Sequence, residues 1–281
     1  MKFGIHLPQI GDHVTAEMVG QAARDAEDLG FDSIWVNDHL AVPADAPYPP
    51  PTILEPMITL TWAAACTTQI VLGTSVLLLP LRHPVHVAKE LASLDILSNE
   101  RLIVGAGVGW VEGEFAALGI PFAERGVRMD ESIKLIRASW REDPMITETS
   151  LITAATKNIR ALPQPKRDIP IWIGGNSKAA VTRAKKTGDG WHGLANNLSI
   201  EDLKAIVADL RANTGSNFRI TLRTFWDALK DDKDDLRRNL DAYANLGIDG
   251  IVSEPRQRDF AKRQSAVEAM LEVSKPWQTT D

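Results

Sequence analysis

The chain of 281 residues has a single cysteine, Cys66. One thiol excludes an internal disulfide and a cysteine-based metal cluster. Its place in Trp62-Ala63-Ala64-Ala65-Cys66, an apolar helical run, reads as a small buried hydrophobe. Long apolar runs are also missing: none approaches the ~20 residues that span a bilayer. Met1 to Ile5 enters a strand directly, with no signal-peptide apolar region, so the expected location is the cytoplasm. Basic excess is absent, since 31 Lys and Arg stand against 37 Asp and Glu for a net charge of −6. That argues against a nucleic-acid partner, whose backbone is met by clustered cations. The first strand offers one histidine, His6, and no His-x-His pair, which excludes a metal-dependent barrel hydrolase. His83 and His86 lack a carboxylate at ligand spacing, and no metal site is expected.

What is present is alternation. Strand-like runs at 3–7, 33–36, 70–79, 101–105, 170–173, 189–192, 219–226 and 250–252 are separated by helix-like runs at 15–29, 55–67, 84–97, 122–140, 177–187, 199–213, 233–246 and 256–273. Thr15 is placed to cap the first helix and Gly30 to stop it. The spacing predicts a single-domain α/β protein over 1–281, a (β/α)8 TIM barrel. Residues 145–165 are rich in Thr and have no helical period. They predict an insertion of about 141–169, a hairpin or extended excursion, between strands 4 and 5. The proline-rich stretch Pro43 to Pro51 predicts a loop that either forms part of a lid or lies on the surface.

The chemistry gathers where strands end. Asp38-His39 follows the second strand, where His39 can exchange a proton near neutral pH and Asp38 can orient a ligand group. The alternative is a helix-capping Asp and a packing His. Gly73-Thr74-Ser75-Val76 carries a glycine inside an apolar strand, marking either a bulge or a packing contact. Gly105-Ala106-Gly107-Val108-Gly109-Trp110 is not a dinucleotide fingerprint, because Trp110 stands where the third glycine belongs. Gly107 and Gly109 instead predict a low loop across which a ligand lies, with Trp110 as a wall. Gly174-Gly175-Asn176-Ser177 leads a strand into a helix whose first amides suit a phosphate. Asp189-Gly190-Trp191-His192 predicts an aromatic and an imidazole at the same rim, with Trp191 as a second wall. His6 and Arg223 are further candidates.

These pieces, in order, resemble the luciferase-like monooxygenase superfamily and its coenzyme F420-dependent oxidoreductase group. The likeness runs through Gly30-Phe31-Asp32-Ser33-Ile34-Trp35, Leu72-Gly73-Thr74-Ser75-Val76, Arg82-His83-Pro84-Val85, Leu91 to Asp95, Arg125-Gly126 with Asp130-Glu131, Ile171 to Gly175 and Gly188 to Trp191. The resemblance implies a deazaflavin or flavin at the carboxyl face and a homodimer. It places Asp38 and His39 beside the ring, with His39 handling the proton. Ser75 and Val76 form a bulge behind the ring, often with a non-proline cis peptide. Gly174, Gly175, Asn176, Ser177 and Ala179 fall on the phosphate side. The implied function is hydride transfer between F420 and a small organic substrate. The alternatives are an FMN-dependent monooxygenase served by a separate flavin reductase, and a flavin- or F420-binding protein without turnover. One departure stands out: where sugar-phosphate dehydrogenases of the family carry an acid after the second glycine of the fourth-strand loop, this chain has Val108.

Overall fold

The computed structural model describes residues 1–46, 49–50, 52–151 and 157–279. Among these, nine parallel strand segments form one sheet: β1 (Lys2–His6), β2 (Ser33–Val36), β3 (Val71–Thr74), β4 (Leu77–Leu78), β5 (Leu102–Gly107), β6 (Ile171–Gly174), β7 (Gly190–Leu194), β8 (Arg219–Thr224) and β9 (Gly250–Ser253). The order β3-β2-β1-β9-β8-β7-β6-β5-β4 closes because β3 also pairs with β5. β3 and β4 are two halves of one stave, parted by the cis peptide Ser75–Val76 and both paired with β5. The result is an eight-staved (β/α)8 barrel.

Around it run α1 (Ala16–Asp28), α2 (Pro56–Cys66), α3 (Pro84–Leu97), α4 (Glu112–Ala117), α5 (Arg125–Arg141), α6 (Lys178–Thr187), α7 (Ile200–Asn213), α8 (Lys233–Asn245) and α9 (Phe260–Ser274). Side-chain caps fix several starts: Thr15, Ser177, Ser199, Asp232 and Asp259 each accept from an amide in the first turn. Strand alternation divides the core in two. Ile34 and Val36 join the large cluster with α1 residues such as Val19 and Ala23. Trp35 points the other way, packing with Trp172 and Val252 inside the barrel.

Three differences from the sequence expectation bear on the site. The strand expected over 70–79 is bent at Ser75–Val76. An unexpected short helix, α4, follows the glycine-rich loop. The last helix begins at Phe260 rather than Arg256, because the Asp259 side chain accepts from Lys262 N and sets the start there. Residues 254–259 are therefore loop at the carboxyl face. In the insertion, Met145 and Ile159 form an isolated antiparallel bridge, and Arg167 anchors the return to Asp95 at 2.7 Å. Residues 152–156 of that segment, and Pro47, Tyr48 and Pro51 of the proline-rich loop, lie outside the described residues. No described helix is long and apolar enough to cross a membrane.

Candidate active site

A cavity of about 610 Å³ opens at the carboxyl ends of the staves, within the size range of cofactor sites. Asp38, His39, Ser75, Val76, Gly107, Gly109, Gly174 and Gly175 all line it, so four separate strand ends meet in one place. Asn176, Ser177 and Ala179 lie just beyond it. Asn176 pins β7 instead, donating to Leu194 O at 2.8 Å and accepting from Leu194 N at 2.9 Å. Ser177 caps α6 through Ala180 N at 3.2 Å, and Ala179 is exposed in the first turn.

His39 stands at the rim, held by a buried carboxylate. Its Nδ1 lies 2.8 Å from Glu114 Oε2, while Glu114 Oε1 accepts from the amides of Leu40 at 2.8 Å and Ala41 at 3.3 Å. Burial pushes the Glu114 carboxyl up, but the His39 hydrogen bond and these amides outweigh it and hold it below the usual carboxylate range. An ionised Glu114 only accepts, so His39 Nδ1 carries the proton in that bond and Nε2 is the nitrogen left to exchange one. Trp110 stands edge-on at 6.1 Å from the imidazole and is 57% exposed. Glu114 is the functional residue that sequence reasoning missed. Its signal was the spacing Val111, Glu114, Phe115, which puts an acid on the buried face of a helix.

Asp38 also lines the cavity, yet both its oxygens are already engaged. Oδ2 accepts from Leu78 N at 2.8 Å, and Oδ1 accepts from Arg82 Nη2 at 2.8 Å. It thereby ties β4, just past the bend, to the end of β2. The bend itself is packed by Val76. A Cβ on Gly107 would come within 2.4 Å of Val76 Cγ2, and one on Gly174 within 2.6 Å of Val76 Cγ1. These two glycines make room for the Val76 methyls, a closer cause than the low ligand platform expected of Gly107.

Behind the bend, Ser75 Oγ lies 2.8 Å from His192 Nε2, and His192 Nδ1 lies 2.8 Å from Thr221 Oγ1. His192 stacks on Trp35 with ring centroids 5.3 Å apart. Burial, then the nearby Arg223, lowers its pKa to about 3 and keeps it neutral. His192 is thus an interior support, not a rim group. Trp191 is not a pocket wall either: it is fully buried on the helix side, and its Nε1 donates to Gly175 O at 2.8 Å. Arg223 does reach the cavity. It donates to Ser75 O at 2.7 Å and pairs with Glu254, and its buried Nε has no protein partner. An unpartnered donor beside a bent backbone, near the start of α6, fits a flat ring carrying carbonyls and a phosphate-bearing tail.

The barrel and this carboxyl-face cavity define a cofactor-dependent α/β-barrel enzyme. The chain belongs to the luciferase-like monooxygenase family, whose profile matches residues 1–280. An uncharacterised protein of Mycobacterium tuberculosis (strain ATCC 25618 / H37Rv) is 32% identical over 69% of this chain and 71% of its own. The F420-dependent glucose-6-phosphate dehydrogenase of Beutenbergia cavernae is 31% identical over 82% of this chain and 69% of its own. Among solved structures, the monooxygenase RslO1 from Streptomyces bottropensis superposes with a TM-score of 0.84 at 20% identity, covering 99% of both chains. That last likeness is one of fold.

Proposed function

We propose that this chain is an F420-dependent oxidoreductase transferring a hydride between the deazaflavin and a small organic substrate. The observation that carries the reading is one cavity that joins a carboxylate-held imidazole, a bent stave and the Gly174-Gly175 turn that leads to α6. The Beutenbergia relative, named as F420-dependent, supports deazaflavin over flavin. When bound, the cofactor supplies the hydride chemistry, and the protein supplies position, electrostatics and exclusion of water. Ser75 and Val76 hold the ring from behind, and the unpaired Arg223 Nε faces its polar edge. The free amides of the first turn of α6, after Gly174 and Gly175, take the phosphate. Asp38 acts by fixing the bend. His39 exchanges the substrate proton at Nε2, and Glu114 holds its ring in one orientation. Val108, in the place of an acid, keeps glucose 6-phosphate out of the proposal. We extend the reading to a homodimer, on the strength of the family resemblance, and to the cytoplasm, on the strength of an N-terminal run that reads as a strand. A flavin reductase partner belongs only to the FMN alternative.

The test is titration of the purified chain with F420 and, separately, with FMN, following tryptophan fluorescence; the exposed Trp110 on the cavity wall is the reporter. Saturable quenching by F420 and none by FMN is the expected result. Preference for FMN replaces the reading with a two-component monooxygenase, and binding of neither replaces it with a protein that has lost turnover.

A further inference from the structure

A second cavity, of about 570 Å³, adjoins the first and lies between the loop after β1 and the loop after β9. Its charge is one-sided. Arg263, on the first turns of α9, is 4% exposed and reaches the cavity with no carboxylate at ion-pair distance among the described residues. Its guanidinium donates only to His6 O and, at 3.0 Å, to Gln264 Oε1. Asp25, which accepts from Gln264 Nε2, and Glu254 act on it through space without an ion-pair contact. A buried guanidinium without a carboxylate is expensive unless something else satisfies it. Burial already lowers the Arg263 pKa to about 10.

Two more cations stand at the mouth. Arg256 lies over the Phe225 ring at 3.7 Å, and neither it nor Arg258 has a carboxylate partner among the described residues. The acids nearby are occupied: Glu254 pairs with Arg223, and Asp12 accepts from the Thr52 hydroxyl. On the floor, His6 is 1% exposed and its Nε2 is buried without a partner. A buried imidazole nitrogen, a buried guanidinium and two free guanidinia thus converge on one space. The three guanidinia outnumber the Asp12 and Glu254 carboxylates of the same lining, and Glu254 is already paired with Arg223, so the donor set suits an oxyanion.

We propose that this second cavity is the substrate subsite and that the substrate is a small organic anion, its carboxylate or phosphate held by Arg263 and Arg258. The assignment of the cavity to substrate rests on the F420 reading of the first cavity. The anion site rests on its own residues. Arg256 lines both cavities, so the anionic group anchors the far end of the substrate while its reacting carbon extends toward the ring and His39.

The experiment is isothermal titration of the chain, at low salt, with inorganic phosphate and with malonate, without and with saturating F420. Saturable binding of either anion is expected, with phosphate alone pointing to a phosphate ester and malonate alone to a carboxylic acid. Arg258→Gln, an exposed position, weakens it about tenfold. Arg263→Gln abolishes it, provided circular dichroism shows that variant folded. Binding of neither anion, or binding undiminished in Arg258→Gln, overturns the proposal. Displacement of the anion by F420 overturns it as well, because the pocket then belongs to the cofactor. Failure of F420 to bind, with anion binding intact, removes the cofactor reading and leaves the anion site standing.

Discussion

The two walls of the carboxyl face are built on opposite electrostatic plans. On the wall made by β2, β4 and α4, every charge is answered. Asp38 is closed off by Arg82 and the Leu78 amide, and Glu114 by His39 and two backbone amides. On the wall made by the loops after β1 and β9, Arg256, Arg258 and Arg263 face a cavity without an ion-pair partner among the described residues. A satisfied network fixes geometry, whereas an unsatisfied one is a standing demand for a ligand. The closed wall holds a ring nitrogen in one orientation for chemistry. The open wall awaits the charge the substrate brings.

The sharpest break of this comparison is at His39, because it is the one group of the closed wall with a free valence. His39→Ala removes the proton-exchanging Nε2 and should lower turnover by about 10²–10⁴-fold. F420 binding, read by tryptophan quenching, should persist. An unchanged rate would place proton exchange elsewhere. Next in size is Asp38→Ala, which leaves the Leu78 amide without its acceptor and the Arg82 guanidinium with Glu55 alone. Urea unfolding should show a loss of about 3–5 kcal/mol, the usual cost of breaking a buried pair from one side. Arg258→Gln on the open wall should change stability by less than about 0.5 kcal/mol. Similar losses at the two positions would erase the contrast.

Between the walls, His192 gives the interior a pH signature. Its folded pKa of about 3 lies below the 6.5 of an unperturbed imidazole. Below pH 6.5 the unfolded chain takes up a proton that the folded chain refuses. Stability contributed by the neutral ring is therefore full above pH 6.5 and is lost as the pH falls toward 3. His192→Asn should be less stable than the natural chain at pH 7, and the gap should narrow as the pH drops to 5. Thermal unfolding at the two pH values measures it, and a gap that does not move would remove His192 as the source. His6, also held neutral by burial, keeps a residual slope of the same sign in the variant.

Much of this was legible beforehand because the barrel writes itself in short-range signals. A cap at Thr15, a stop at Gly30 and apolar runs of strand length fixed the order of staves and helices. The strand ends at Asp38-His39, Ser75-Val76 and Gly174-Gly175 did meet in one cavity. What stayed hidden depends on contacts across long sequence distances. Glu114 closes on a residue 75 positions away, and nothing local to Asp38 shows that Arg82 and Leu78 saturate it. Trp191 looked like a wall because it stands beside His192 in a strand-like run that points to the carboxyl face. Strand alternation turned it to the helix side, where it supports Gly175. The open wall was missed for a boundary reason, since extending the last helix back to Arg256 absorbed the loop that carries Arg256 and Arg258.

The smallest effect lies at the start of α6, and it separates a helix cap from a ligand contact. Ser177 Oγ accepts from Ala180 N, so one of the terminal amides is already spoken for. The proposed phosphate contact is left the amides of Lys178 and Ala179, neither of which is bonded to another group among the described residues. Ser177→Ala should therefore cost about 1 kcal/mol of stability, the usual worth of an N-cap. F420 affinity should fall only slightly, by the fraying of one turn. If the affinity instead collapses while stability barely moves, the hydroxyl itself holds the phosphate, and its bond to Ala180 is what the free protein makes in the ligand's absence.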